Sequence, residues 1–415
     1  MIFNRIKVYK KVFSMAGAPG LCLLGYDIVQ AVFARGKIDP GEVDSTALIF
    51  AMYSLFCLFF AIKTLREEKL MSSVGVMLKS TALKYFSLYT IWGGFSCLWS
   101  PNLALTTYRA IECFSIVLLM VAVIMKLGKY QNIHILVKWS VVYIFFTILV
   151  KTIHGITMGS ITGFFVPGSF FWFQAQFIAP IYLYWAVLYT KDIIIKVTII
   201  AVSIMAMSTV GYIAIAAGAI ALVLGDKKSR KLGLIVFSVC VVYIMLWGLD
   251  DLLAHTVFIE HNAMVEGDDS GRRFVWDLGL NAFRKQPLIG LGFFTAENNI
   301  ARLGHMQTVI GMHNGFLSAL VGEGIIGFVF FVLFFITLGF AVIRKKGASV
   351  YKSAMIACYI AILIETYANP GLGFRIFGAW MPSMYGVVLL CYIMKFEKKL
   401  TFPLDSQHAR WIDKI

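Results

Sequence analysis

Charged residues are scarce in this chain. Only 14% of its 415 residues are Asp, Glu, Lys or Arg, while 60% are hydrophobic, against about 25% charged and roughly 45–50% apolar in an average soluble domain. A water-soluble fold is therefore excluded. The alternating strands of an outer-membrane barrel are lacking too, because the apolar residues run in continuous blocks of roughly 17–25, the length that crosses about 30 Å of hydrocarbon as a helix. Cysteine is missing from the polar stretches. All seven (Cys22, Cys57, Cys97, Cys113, Cys240, Cys358 and Cys391) fall within apolar blocks, so neither a disulfide framework nor a thiolate metal site is implied.

What is present is an all-α polytopic membrane protein with about 12 transmembrane helices, expected near 13–34, 45–63, 81–99, 107–125, 136–153, 171–189, 193–208, 209–225, 232–249, 316–343, 353–368 and 377–394. Residues 1–249 thus hold nine spans, 250–315 one long polar loop, 316–395 three more spans and 396–415 a tail. The basic stretch before the first span resembles a signal peptide without a small-x-small cleavage site, which reads as a retained anchor. With the N-terminus cytoplasmic, all but ten of the 37 Lys and Arg fall on the inner side, as the bias of basic residues towards the cytoplasm requires. Both termini are then inside and the long loop outside. The net charge of +15 is accordingly a topology signal spread over short juxtamembrane clusters that face anionic lipid, and it does not argue for nucleic acid.

The ten outer bases are Arg35, Lys37, Arg109, Lys151, Arg272, Arg273, Arg284, Lys285, Arg302 and Arg375. Within the spans, Asp27, Glu112, Glu365 and Glu323 are ionisable groups in a costly place, which makes each either functional or the partner of a buried polar group. Gly211, Ala214, Ala217, Gly218 and Ala221 form a small-residue face suited to close helix packing. In the loop, Trp276, Leu280 and Phe283 recur at helical spacing, predicting a helix along the membrane interface that ends at Pro287. Gly290 and Gly292 read as a turn, since no strand precedes them. His255, His261, His305 and His313 match no standard zinc spacing.

Four groups of residues carry a resemblance. Ser270-Gly271-Arg272 followed by Trp276, then Pro287 to Phe293 with Gly290 and Gly292, then Met312-His313-Asn314, and lastly Gly322-Glu323-Gly324 with Gly327 resemble the signature of the bacterial O-antigen ligase and polymerase superfamily. The likeness covers roughly residues 195–345. A fainter similarity, from Trp99-Ser100-Pro101 to Arg109, is to a segment common in exopolysaccharide polymerases. The resemblance implies a GT-C-like fold and an undecaprenyl-diphosphate-linked glycan donor at the periplasmic face of the inner membrane. It further implies transfer to a sugar hydroxyl, without cofactor or essential metal. It also implies a chain-length regulator as partner if the protein is a polymerase.

On this reading His313 is the catalytic base, since an imidazole titrates near neutral pH and can accept the proton of an attacking hydroxyl. Arg272 and Arg273, with Arg109 and Arg375, are the candidates for the diphosphate, because a guanidinium pairs bidentately with phosphate oxygens. Asn314, Glu323, Trp276 and Arg284 are expected to bind substrate or support the site, with helix capping as the plain alternative for Asn314. Relatives carry Ser-Arg or Thr-Arg near the eighth span, whereas this chain has Met207-Ser208-Thr209-Val210-Gly211, so an outer arginine must stand in or the donor is held differently. The function expected is the repeat-unit polymerase. The alternatives are a ligase that moves the glycan to lipid A-core and, from another class, a transporter of the lipid-linked glycan. A transporter predicts related halves, and no such repeat is visible.

Overall fold

A computed structural model describes residues 2–32, 45–157, 197–202, 215–220, 272–303, 312, 314–344, 349–368, 371–373 and 380–396. Among these the chain is helical, with no strand. The principal helices are α1 (Ile2–Val32), α2 (Ser45–Glu67), α3 (Met71–Ser80), α4 (Leu83–Phe95), α5 (Leu103–Gly128), α6 (Ile133–Thr157), α7 (Arg272–Lys285), α8 (Ala296–Leu303), α9 (Gly315–Arg344), α10 (Ser349–Ala368) and α11 (Trp380–Phe396). Eight of them overlap eight of the expected spans. The spans expected at 171–189, 193–208, 209–225 and 232–249 lie wholly or largely outside the described residues, as do most of the small-residue face and His255, His261 and His305.

Four described helices are long and apolar enough to cross a membrane: Lys11–Val29, Leu48–Glu67, Leu103–Gly128 and Gly315–Arg344. The span expected at 81–99 is shorter than its hydropathy suggests. It is the helix α4, continued by a single 3-10 turn at Ser96–Leu98, where the Ser96 hydroxyl donates to the Gly93 carbonyl at 2.6 Å. On α2 the outer face is apolar and exposed, with Met52 63% and Phe59 59% accessible, as suits a helix solvated by lipid.

The helices run up and down. Tyr26 of α1 meets Glu112 in the first half of α5, while Gly17, at the middle of α1, meets Lys126 near the end of α5. Phe86 and Trp92 of α4 meet Phe334 and Glu323 of α9 respectively, so these two are also antiparallel. At one end of the bundle Glu68 bridges Lys129 at 2.6 Å and Lys126 at 3.7 Å, joining the α2–α3 corner to the end of α5. At the other end, about 39 Å away along α5, lie the α4–α5 connection and the segment 286–295. Lys126 and Lys129, two of the bases assigned to the inner side by sequence, thus lie at the end of α5 away from the segment 286–295.

Two of the ionisable residues inside spans, Asp27 and Glu112, have polar partners on neighbouring residues. Thr147 donates to Asp27 at 2.7 Å, and Glu112 takes the hydroxyls of Tyr26 and Tyr108 on one oxygen and Arg109 on the other.

Candidate functional site

The site begins with a break in α9. Gly324 sits at φ 64°, ψ −170°, a region open essentially to glycine alone, and the break frees two helical pairs: the N–H groups of Ile325 and Ile326 and the carbonyls of Val321 and Gly322. A polar backbone group without water must find another partner at membrane depth. The chain from Pro287 to Gly292 supplies all four. Ile325 N–H donates to the Pro287 carbonyl (2.8 Å) and Ile326 N–H to Leu288 (3.3 Å), while Leu291 and Gly292 N–H donate to Val321 (3.0 Å) and Gly322 (2.7 Å).

This seam explains the glycines. At Gly290, with φ +68°, a Cβ would lie 2.4 Å from both the Gly322 carbonyl oxygen and the Gly324 nitrogen; at Gly324 it would lie 2.3 Å from the Leu288 carbonyl oxygen. Two motifs that the sequence reads as a turn and as part of a span are therefore the two edges of one contact. The turn continues through Phe294 at φ 53°, a strained position for a bulky residue that buries Phe293 and Phe294 against Tyr89.

The Trp99 segment closes the seam from the other side. Trp99 Nε1 donates to the Ile289 carbonyl and Trp92 Nε1 to that of Glu323, both at 3.0 Å. Ser96 Oγ accepts from Phe293 N–H at 2.9 Å. Asn299 Nδ2 donates to the Leu291 carbonyl at 2.6 Å and to the hydroxyls of Ser100 and Thr295. Thr106, in the first turn of α5, contacts Thr295 at 3.0 Å. Of these polar residues the sequence offers Ser100 and Thr106 through the Trp99-to-Arg109 likeness, and carries no signal for Ser96, Thr295 or Asn299.

Under the seam a second, small core forms from Val275, Leu291, Ala296, Met312 and Val321, with Trp276, Phe283 and Leu317 against it. The helix expected from Trp276 is present as α7, and its apolar side packs on α8 and α9. Three helices then converge on the backbone around residue 313. From α7, Trp276 Nε1 donates to the Met312 carbonyl at 2.6 Å. From α8, Glu297 Oε1 accepts the Met312 N–H. At the start of α9, Asn314 Oδ1 accepts the Leu317 N–H at 2.9 Å, which makes Asn314 the helix cap. His313 itself lies outside the described residues, as does Arg375.

The other expected residues are spread out. Arg272 and Arg273 open α7, and nothing is described of their side chains. Arg284, near the far end of α7, is exposed and donates to Asn281 Oδ1 at 2.9 Å. Arg109 is 16% exposed, pairs with Glu112 at 2.6 Å and lies over the Tyr108 ring; its Nε has no hydrogen-bond partner among the described residues. Glu323 is fully buried below the break, against Trp92 and Gly93, with no hydrogen-bond partner among the described residues on either carboxyl oxygen.

Residues 194–332 match the family model described as O-antigen ligase. The match takes in α7, α8, residues 312–314 and the break in α9, and stops short of the Trp99 side of the seam. No curated protein matches the chain. Over the matched third of the chain, with the motifs it holds, the protein is similar to the O-antigen ligase family.

Proposed function

We propose that the protein is a glycosyltransferase that moves a glycan from undecaprenyl diphosphate to a sugar hydroxyl at the periplasmic face of the inner membrane, as the repeat-unit polymerase. The observation that carries this reading is the convergence of Trp276, Glu297 and Asn314 on the backbone flanking His313, within the segment that the O-antigen ligase model matches. Rigid support of this kind is what a catalytic side chain needs.

His313 accepts the proton of the acceptor hydroxyl as its oxygen attacks the anomeric carbon. The bond from that carbon to the phosphate oxygen breaks, and undecaprenyl diphosphate leaves with the electron pair. The departing anion needs no proton if cations hold it. Arg272 and Arg273, the first residues of α7, are the cations proposed for this, and the N–H groups and dipole of a helix N-terminus also favour an anion. Arg109 and Arg375 are further candidates at the outer ends of their spans. Both termini are cytoplasmic, no metal takes part, and a chain-length regulator is the expected partner.

The test uses a strain deleted for the gene and lacking its surface glycan. His313→Ala, present in the membrane at the normal level, should fail to restore long glycan; full restoration would refute the general-base role. Arg272→Lys keeps the charge and loses the fork, so it should restore little. The alternative acceptor, lipid A-core, is separated by banding. Loss of a polymerase leaves single repeats on the core, whereas loss of a ligase leaves long chains on the carrier lipid.

A further inference from the structure

We propose that Glu297 is a positioning residue for the transfer, one that belongs to the site through the backbone it holds; this rests on the reading of His313 as the base. Glu297 lies in the first turn of α8, where a carboxylate ordinarily serves its own helix N-terminus. Here one carboxyl oxygen is directed across to the Met312 N–H and to Ser318 Oγ of α9 (3.5 Å). Both Glu297 (3% exposed) and Met312 (0%) are buried, so water does not substitute for the bond.

The described residues on either side of 313 are each held by a side chain of a different helix. Trp276 fixes the Met312 carbonyl, which shares its plane with the nitrogen of 313, and Glu297 fixes the plane before that. Asn314 fixes the chain beyond, by capping α9. Trp276 and Asn314 belong to the signature motifs, whereas Glu297 belongs to none.

Its own footing is firm. Asn299 N–H bonds the Thr295 carbonyl at 2.8 Å, and the hydroxyl of Thr295 bonds Asn299 and Thr106. The start of α8 is thereby tied to the start of α5, a helix long enough to cross the membrane. Glu297 passes that fixed frame on to Met312. A displacement of about 1 Å at a catalytic group lowers turnover by about 10²-fold, which is the scale of effect to expect when the frame is released.

The experiment uses full-length protein in lipid vesicles with the lipid-linked repeat unit extracted from the host's membranes, and compares Glu297→Gln with Glu297→Asp. Gln keeps an acceptor oxygen at the same reach, so its kcat should stay within about 5-fold of the parent protein. Asp keeps the charge and is one methylene too short, so its kcat should fall about 30- to 100-fold with the donor KM within about 3-fold. A thermal midpoint unchanged in both variants places the effect in the site. An Asp variant with normal kcat overturns the proposal, and so does an inactive Gln variant beside an active Asp variant, which would mean that charge and not placement matters. His313→Ala runs alongside: if it is active, the reading of His313 fails, whereas an inactive His313→Ala beside a fully active Glu297→Asp removes Glu297 alone.

Discussion

Replacing Gly324 by Ala tests the seam on which the site is built. The residue sits at φ 64°, ψ −170°, where a side chain costs about 1–3 kcal/mol, and its Cβ would press 2.3–2.5 Å against Leu288 O, Leu288 C and Ile289 N. All three are backbone atoms, so no side chain can swing aside. If Pro287–Ile289 backs away, the bonds to Ile325 and Ile326 open, and each buried group left unpaired costs about 1–3 kcal/mol. With two of the four groups orphaned the total is about 3–9 kcal/mol. A chain of this length, at the per-residue unfolding entropy of globular proteins, loses about 1 °C per kcal/mol, so the thermal midpoint in detergent should fall by about 3–10 °C. Gly75→Ala is the matching control. Gly75 lies inside α3 with nothing within 4 Å of its Cβ, and the better helix propensity of Ala should stabilise by about 0.5–1 kcal/mol. Equal midpoints for the two variants would refute the seam as described.

The Arg109–Glu112 pair lends itself to a double-mutant cycle. Glu112→Gln alone should destabilise by about 3–5 kcal/mol, because it strands a buried guanidinium, and adding Arg109→Met should recover part of that loss while Gln still accepts the hydroxyls of Tyr26 and Tyr108. Additive losses in thermal unfolding would show that the two side chains do not interact. At the opposite end, the hydrogen bond from Lys129 holds the Glu68 carboxyl below its ordinary value near 4.5. A lowered carboxyl contributes stability that is present above the unfolded value and lost as pH falls through the folded one. The parent protein should therefore be more stable than Lys129→Met at pH 6, by under about 1 kcal/mol for so exposed a pair, and the two midpoints should meet as Glu68 protonates; a gap that widens in acid would refute the assignment.

The eight described helices that overlap expected spans were legible because hydropathy is a local property. The contacts that make the site were not. Trp99 and Ile289 are paired across nearly two hundred residues, and no periodicity announces such a pairing. The break in α9 left one trace, the Gly-Glu-Gly at 322–324, inside a stretch whose hydropathy reads as one continuous span. Glu297 carried still less signal, since an acid in the first turn of a short helix is common and has a local explanation. Arg109 could have been read better. Glu112 lies three residues further on, a spacing at which side chains on one helix face meet, so the pair is legible from the sequence alone.

The cations of the proposed diphosphate site can be narrowed by the same geometry. Arg272 and Arg284 bracket α7 and lie about 18 Å apart along its axis, farther than a single diphosphate spans. The amino end of α7 combines Arg272, Arg273 and the N–H groups of the first turn. Its carboxyl end presents carbonyls that repel an anion, and Arg284 there is exposed beside Asn281. Arg284→Ala should consequently lower kcat/KM for the lipid-linked donor by less than about 3-fold, whereas Arg272→Ala should lower it by about 10²-fold, the scale of a lost charge-assisted contact of roughly 3 kcal/mol. Salt separates the two further, because screening weakens an exposed charge more than one drawn into a site. If the order were reversed, the diphosphate would have to lie at the carboxyl end of α7, and the approach of the donor over the α7 N-terminus would be wrong.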